Sequence, residues 1–263
     1  LSNQGTGKAS RDIHDWARNY QIKDGKGDRL TLLNNWESTG FNFNEKKLEE
    51  LMKEAKHLGV DMFLLDDGWF ANKYPRQNDK AGLGDWEVTH DKLPNGIPHL
   101  VQVAKDAGLK FGIWIEPEMV SEDSDLYRKH PDWVLGDKRR TLGKARNQYI
   151  LDFSRPEVVD EVYRQLADTF RGLPITYIKW DHNRSMSEVF SAGGDREYQG
   201  TVRHRFILGM YSLYAKMMAA FPGILFESCA SGGARFDPGM LYYAPQAWCS
   251  DNTDAIERIR IQY

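Results

Sequence analysis

Carboxylates in this sequence recur at the ends of short apolar runs: Asp66-Asp67, Glu116 and Glu118, Asp152, Asp181 after Lys179-Trp180, Glu227 before Ser228-Cys229, and Asp251 after Ser250. Groups that follow strands are what a parallel barrel gathers on one face, where residues far apart in sequence become one acidic pocket. Two such carboxyls can break a glycosidic bond, one as acid/base and one as base or nucleophile, with aromatic rings to stack on the sugar. Any single one of them is as readily a helix cap or the partner of an arginine. The set is too large for spacing alone to select a pair.

Metal chemistry is the rival. The seven histidines, His14, His57, His90, His99, His130, His182 and His204, form no HxxxH pair, and only His182 follows a strand, so a His-based centre is not expected. Asp66, Glu116, Asp181 and Asp251 could instead hold Mg²⁺, with Lys179 as base, in the manner of enolase-type barrels. The residues by themselves leave both chemistries open.

Bulk properties set limits on partners and architecture. A chain of 263 residues with 41% hydrophobic residues and net charge −3 fits one large α/β domain. Its 35 basic and 38 acidic residues are interspersed, so no basic stripe offers itself to nucleic acid. No apolar run approaches the roughly 20 residues of a membrane span, and Leu1 to Ser10 lacks the pattern of a signal peptide, so the expectation is a soluble, cytoplasmic chain. Cys229 and Cys249 are expected as free thiols.

The elements that must position these groups alternate. Leu30 to Trp36 reads as a buried strand, and from the N-cap Asn44 the residues Leu48, Leu51, Met52, Ala55 and Leu58 fall at helical spacing up to Gly59. Further strands are expected at Asp61 to Leu65, Phe111 to Ile115, Tyr149 to Leu151 with Phe153, Ile175 to Ile178, Ile224 to Phe226 and Ala247 to Cys249. Helices are expected near Ile97 to Ala107, after a capping box of Ser154 and Glu157, and over Val202 to Ala220. Between the second strand and its helix runs a long polar, Gly- and Pro-rich loop, of the kind that is usually functional. The pattern predicts an α/β fold, a parallel (β/α)8 TIM barrel truncated after its seventh strand. Residues 30–263 would form that catalytic barrel, incomplete at its C-terminus. Residues 1–29 would be a lead-in whose amphipathic stretch Arg11 to Tyr20 packs under the barrel or links to an upstream domain.

Five ordered motifs resemble the catalytic barrel of bacterial α-galactosidases of glycoside hydrolase family 36: Leu65-Asp66-Asp67-Gly68-Trp69, Trp114-Ile115-Glu116-Pro117-Glu118-Met119, Lys179-Trp180-Asp181-His182-Asn183-Arg184, Cys229-Ala230-Ser231-Gly232-Gly233-Ala234-Arg235 and Ser250-Asp251-Asn252-Thr253-Asp254. The resemblance implies a retaining glycosidase without cofactor or metal, acting on terminal α-galactosides such as melibiose and raffinose. Asp181 would be the nucleophile, kept ionised with help from Lys179, and Asp251 the acid/base, protonated at the outset in a dry setting. Asp66 and Asp67 would accept from the 4- and 6-hydroxyls, Lys179, Arg146 and Asn183 would donate to other sugar oxygens, and Trp36 and Trp114 would offer apolar faces.

Cys229 and Gly232 would serve the 2-hydroxyl, favouring galactose over N-acetylgalactosamine. The plainer alternatives are core packing for the two tryptophans, a buried thiol for Cys229 and a salt bridge for Arg146. His182 departs from the family, where Met is common. The resemblance equally admits a raffinose-synthase-like galactosyl transferase or an inactive, sugar-binding fragment, and it implies a homo-oligomer, a tetramer in full-length relatives.

Overall fold

The computed structural model describes residues 3–262. In chain order the strands are β1 (Leu32–Asn34), β2 (Met62–Leu65), β3 (Lys110–Ile115), β4 (Met119–Ser121), β5 (Gln148–Ile150), β6 (Tyr177–Trp180), β7 (Leu225–Ser228) and β8 (Gln246–Ala247). The helices are α1 (Gly5–Trp16), α2 (Trp36–Thr39), α3 (Glu45–His57), α4 (Gly96–Asp106), α5 (Asp125–Lys129), α6 (Pro156–Phe170), α7 (Arg196–Gln199), α8 (Val202–Ala220), α9 (Pro238–Tyr243) and α10 (Ala255–Gln262). Six strands form one sheet in the order β1-β2-β3-β6-β7-β8, parallel at every pairing. Its edge strands β1 and β8 do not pair with each other, so the barrel wall is open on that side.

The α/β barrel architecture is the expected one, but the strand foreseen around Tyr149 is not part of its wall. That segment, β5, pairs antiparallel with β4, and the two form a hairpin in the connection between β3 and β6. Three paired residues with both faces buried look alike in sequence whether they join a wall or an insertion. The parallel wall therefore has six strands where the sequence suggested seven.

Strand register builds the interior in layers. Leu64, Gly112, Tyr177 and Leu225 are aligned across β2, β3, β6 and β7, and Met62, Leu64 and Tyr177 close the floor as a small apolar cluster with Leu32 and Leu225. Gly112 is required there, because a Cβ would lie 3.0 Å from Leu64 Cδ1 and 3.1 Å from Tyr177 Cβ. Two residues further along, Trp114, Lys179, Glu227 and Gln246 are aligned in the same way and point to the same side. The strand faces that turn outward, with Phe63, Leu65, Phe111, Ile113 and Ile178, meet the helices in the main core.

The helices follow the sequence closely at α3, capped by Asn44 accepting from Lys47 N, and at α8. At α6 the capping box does not form. The N-cap is Arg155, and Ser154 instead turns its hydroxyl to Asp152. The loop after β2 is also no solvated strap: Trp69, Phe70, Leu83, Trp86 and Leu93 are buried in it, with Trp86 against Phe70 at 4.6 Å and against Trp69 at 6.1 Å. At the lead-in, α1 and the π-helical turn Ala17–Gln21 bury no residue, and Ile13, Trp16 and Tyr20 are exposed. This segment does not pack under the barrel. It is tied at its C-terminal end, where Gln21 donates to Pro238 O and Lys23 to Pro222 O. Both cysteines are free, Cys229 buried and Cys249 exposed.

Candidate active site

A cavity of about 450 Å³ sits over the apolar floor and opens at the C-terminal ends of the strands. Of the expected residues, Trp36, Asp66, Asp67, Trp114, Arg146, Lys179, Asp181, Asn183, Cys229 and Asp251 line it. Residues from both edges of the six-stranded wall meet there because they lie in or just after the C-terminal ends of their strands. Gly232 is not among the lining residues. It adopts φ +99° and presses on the backbone after β8, where a Cβ would meet Ser250 Cα at 3.3 Å, so its need for a missing side chain is met by protein.

Asp181 is held through both of its oxygens. Its Oδ2 accepts from Asn183 Nδ2 at 2.6 Å and Trp114 Nε1 at 3.2 Å, and its Oδ1 from His182 N at 2.9 Å. Burial opposes its charge, but Lys179, the Cys229 thiol and these donors outweigh it and keep the carboxyl below the usual range. Trp114 combines two expectations: its face stacks on Phe70 in the core, at 6.0 Å, and its N–H serves Asp181. Asn183 is likewise spent on Asp181 and on Ser231, rather than being free. Cys229 stays a thiol, since burial first and the neighbouring Asp181 next push its pKa up.

Asp66 and Asp67, both 3% exposed, differ in their partners. Asp66 Oδ2 accepts from Lys179 Nζ at 3.1 Å and from Asn34 Nδ2. Burial works against the ammonium of Lys179, yet Asp66 and the other anions around it push its pKa up. Asp67 is gripped by the fully buried Arg76, through Nε at 3.0 Å and Nη2 at 3.0 Å, the arginine pairing that a lone carboxylate invites. Burial raises its pKa and Arg76 pulls the other way. Each of these two carboxylates is thus paired with a cation of the chain itself. Arg146 forms no ion pair among the described residues. It is exposed at the mouth in a left-handed conformation, φ +53°.

Asp251 departs from expectation. It is exposed, not dry, because it lies past the edge strand β8 on the open side of the wall, and its carboxyl accepts one hydrogen bond, from Trp248 Nε1 at 2.8 Å. Trp36 begins the short helix α2 instead of ending the strand, half-buried with Phe41 edge-on at 4.9 Å.

Three further residues belong to the site. Trp248 has Lys179 over its ring at 5.5 Å and Arg258 at 4.6 Å. Glu116 is 1% exposed and accepts through Oε1 from Asn183 N at 2.6 Å and Gln148 Nε2 at 2.9 Å. Burial and then Asp181 push its pKa up to about 8. Glu118, fully buried, accepts from Trp180 Nε1 and Arg235 Nη1 and lies 3.1 Å from His182 Nδ1. Burial opposes its charge, but Arg235 and His182 hold it down to about 2. Alternation along the strands, two residues from Lys179 to Asp181 and from Trp114 to Glu116, was the signal for Glu116.

Fold and site thus define an α/β-barrel protein with an acidic, indole-walled cavity at the C-terminal ends of its strands. The chain belongs to the melibiase family, whose profile matches residues 1–263. It is 47% identical over 264 residues to "Alpha-galactosidase 1" of Pediococcus pentosaceus, all of this chain against 36% of that protein. The crystal structure of the family 36 α-galactosidase AgaA of Geobacillus stearothermophilus superposes with a TM-score of 0.92 at 46% identity, covering 97% of this chain and 35% of that one. A variant of the same enzyme solved with raffinose aligns equally well, with a TM-score of 0.92. This chain spans about a third of the length of the curated relatives it matches. Among the described residues, no helix is long and apolar enough to cross a membrane.

Proposed function

We propose that this barrel is the catalytic portion of a retaining α-galactosidase that cleaves terminal α-galactosyl residues from galactosides of the raffinose and melibiose kind. The observation that carries the reading is Asp181: a buried carboxylate kept anionic by Lys179 and three donors, lining a sugar-sized cavity. In this scheme an Asp181 oxygen attacks the anomeric carbon as the glycosidic C–O bond breaks, and Asp251 gives its proton to the departing oxygen. Asp251 then takes a proton from water, whose oxygen displaces Asp181 and releases galactose with its configuration retained. Retention asks for carboxyls about 5–5.5 Å apart, which suits residues at β6 and β8 facing one mouth.

Asp66, anchored by Lys179, would accept from the axial hydroxyl that marks galactose, because an epimer would leave this buried acceptor unpaired. Arg146, unpaired at the mouth, would donate to the sugar, and Cys229 would border the 2-position. Relatives solved with raffinose and stachyose support the substrate class. Asp181→Gly should lower turnover of an aryl α-galactoside about a thousandfold or more, with azide restoring product of inverted configuration. Retained activity in that variant, or galactosyl transfer dominating over hydrolysis in the parent, would overturn the reading.

A further inference from the structure

Glu116 and Asp181 follow adjacent parallel strands in register. Ile115 is aligned with Trp180, and Asp181 N donates to Ile115 O over 2.8 Å, so the two carboxyls emerge side by side. They are 1% and 7% exposed. One residue ties them together: Asn183 donates its backbone N–H to Glu116 Oε1 and its side-chain amide to Asp181 Oδ2, each over 2.6 Å. Two carboxylates in so dry a place cannot both carry charge without a large electrostatic cost, so the pair keeps one proton.

The surrounding groups decide where it sits. Asp181 faces Lys179 and collects three N–H donors across both its oxygens. The donors to Glu116, Gln148 Nε2 and Asn183 N, both go to Oε1. From the neighbouring strand and its loop Glu116 faces Asp67 and Arg76, but Arg76 is already committed to Asp67. Glu118, on its own segment, is turned to Arg235 and His182, and Arg184 from beyond β6 spends its guanidinium on Gln148 O and Glu188.

We infer that Glu116 is a positioning residue that holds a proton on Oε2 whenever Asp181 is ionised, so that one negative charge faces the sugar, and that loss of this proton shuts the site down at alkaline pH. An anion on Glu116 would repel the Asp181 carboxylate and compete for the donors that fix it. The activity consequence rests on the glycosidase reading; the proton's location does not.

Glu116→Gln keeps the acceptor on Oε1 and cannot ionise. Near neutral pH it should retain turnover within a few-fold, and the alkaline limb of kcat should move up. One pH unit above the parent's midpoint the parent keeps about a tenth of its rate and the variant most of it. A folded, active variant with an unmoved alkaline limb overturns the inference, because Asp251 alone would then set that limb. Infrared difference spectra supply a readout independent of turnover. The parent should show the C=O stretch of a buried carboxylic acid at neutral pH, lost on raising the pH and absent in Glu116→Gln. If that variant fails to fold, Glu116→Asp, which shifts the band, assigns it. A parent without the band also overturns the inference, whereas a parent with the band but no α-galactoside hydrolysis overturns only the glycosidase reading.

Discussion

Trp248 Nε1 donates to Asp251 Oδ1 over 2.8 Å, and this single bond orients a carboxyl that is otherwise exposed at the open edge of the barrel wall. Trp248 itself meets two cations, Lys179 at 5.5 Å and Arg258 at 4.6 Å from its ring centroid. The proposed acid/base and the proposed galactose anchor therefore share one indole.

Trp248→Phe keeps an aromatic face for both cations and removes only the donor. Turnover should fall on the order of tenfold to a hundredfold, because a carboxyl that swings free is poorly placed to protonate the leaving oxygen. The loss should be larger for melibiose, whose leaving sugar needs that proton, than for a nitrophenyl galactoside, whose leaving group departs readily without it. Equal losses on the two substrates, measured as kcat/KM, would show that Trp248 acts on binding and not through Asp251.

Residues at this site were legible in the sequence where local rules determine them. Asp66 and Asp181 could be placed because each directly follows a short strand, and Lys179 because it lies within one, two residues before Asp181, so the strand period fixes which way they face. Helices α3 and α8 could be placed because their apolar spacing is not contested by tertiary packing. What could not be read depended on partners distant in sequence. Whether Tyr149 lies in the wall or in a hairpin is decided by which strand it meets. The preference of Ser154 for Asp152 over its own helix is decided by the buried carboxylate beside it. The exposure of Asp251 is decided by the absence of a paired neighbour beyond β8 among the described residues. Glu116 and Glu118, two positions apart and both buried, have their pKa values pushed in opposite directions, because burial and Asp181 raise the one while an arginine and a histidine outweigh burial at the other.

Glu118 anchors the segment after β7 to the end of β3 through Arg235. Glu118 is fully buried and Arg235 largely so, with 15% of its side chain exposed, and Glu118→Gln leaves that guanidinium without its counter-charge, at a cost on the order of 3 kcal/mol. The sign of the pH dependence follows from the direction of the shift. The folded state holds this carboxyl at about 2, below its unfolded value near 4.5, so its stabilisation is fully present above 4.5 and is lost as pH falls toward 2. Denaturation midpoints of parent and variant should be well separated at neutral pH and converge between about 4.5 and 2. A constant gap over that window would mean that Glu118 contributes by packing rather than by charge.

Lys92 staples the long loop after β2. Its ammonium donates to Phe41 O, Gly68 O and Arg76 O, each over 3.0 Å, and thereby fixes the backbone that carries Arg76 to Asp67. Burial pulls its pKa down to about 8 from the usual 10.5, against a partial offset from Asp67. Between those values the unfolded chain binds more protons than the folded one, so this group makes stability rise with pH through that interval. Lys92→Met removes the titration along with three hydrogen bonds, and the loss should be about 2–4 kcal/mol at neutral pH from the carbonyls left without donors. Chemical denaturation of parent and variant at a series of pH values from 7 to above 10 should show the parent gaining relative to the variant. A gap that narrows as pH rises would mean that the ammonium is favoured, not penalised, by its three carbonyls. The variant should also turn over more slowly, because Asp67 at the cavity wall is positioned by an arginine whose backbone Lys92 holds.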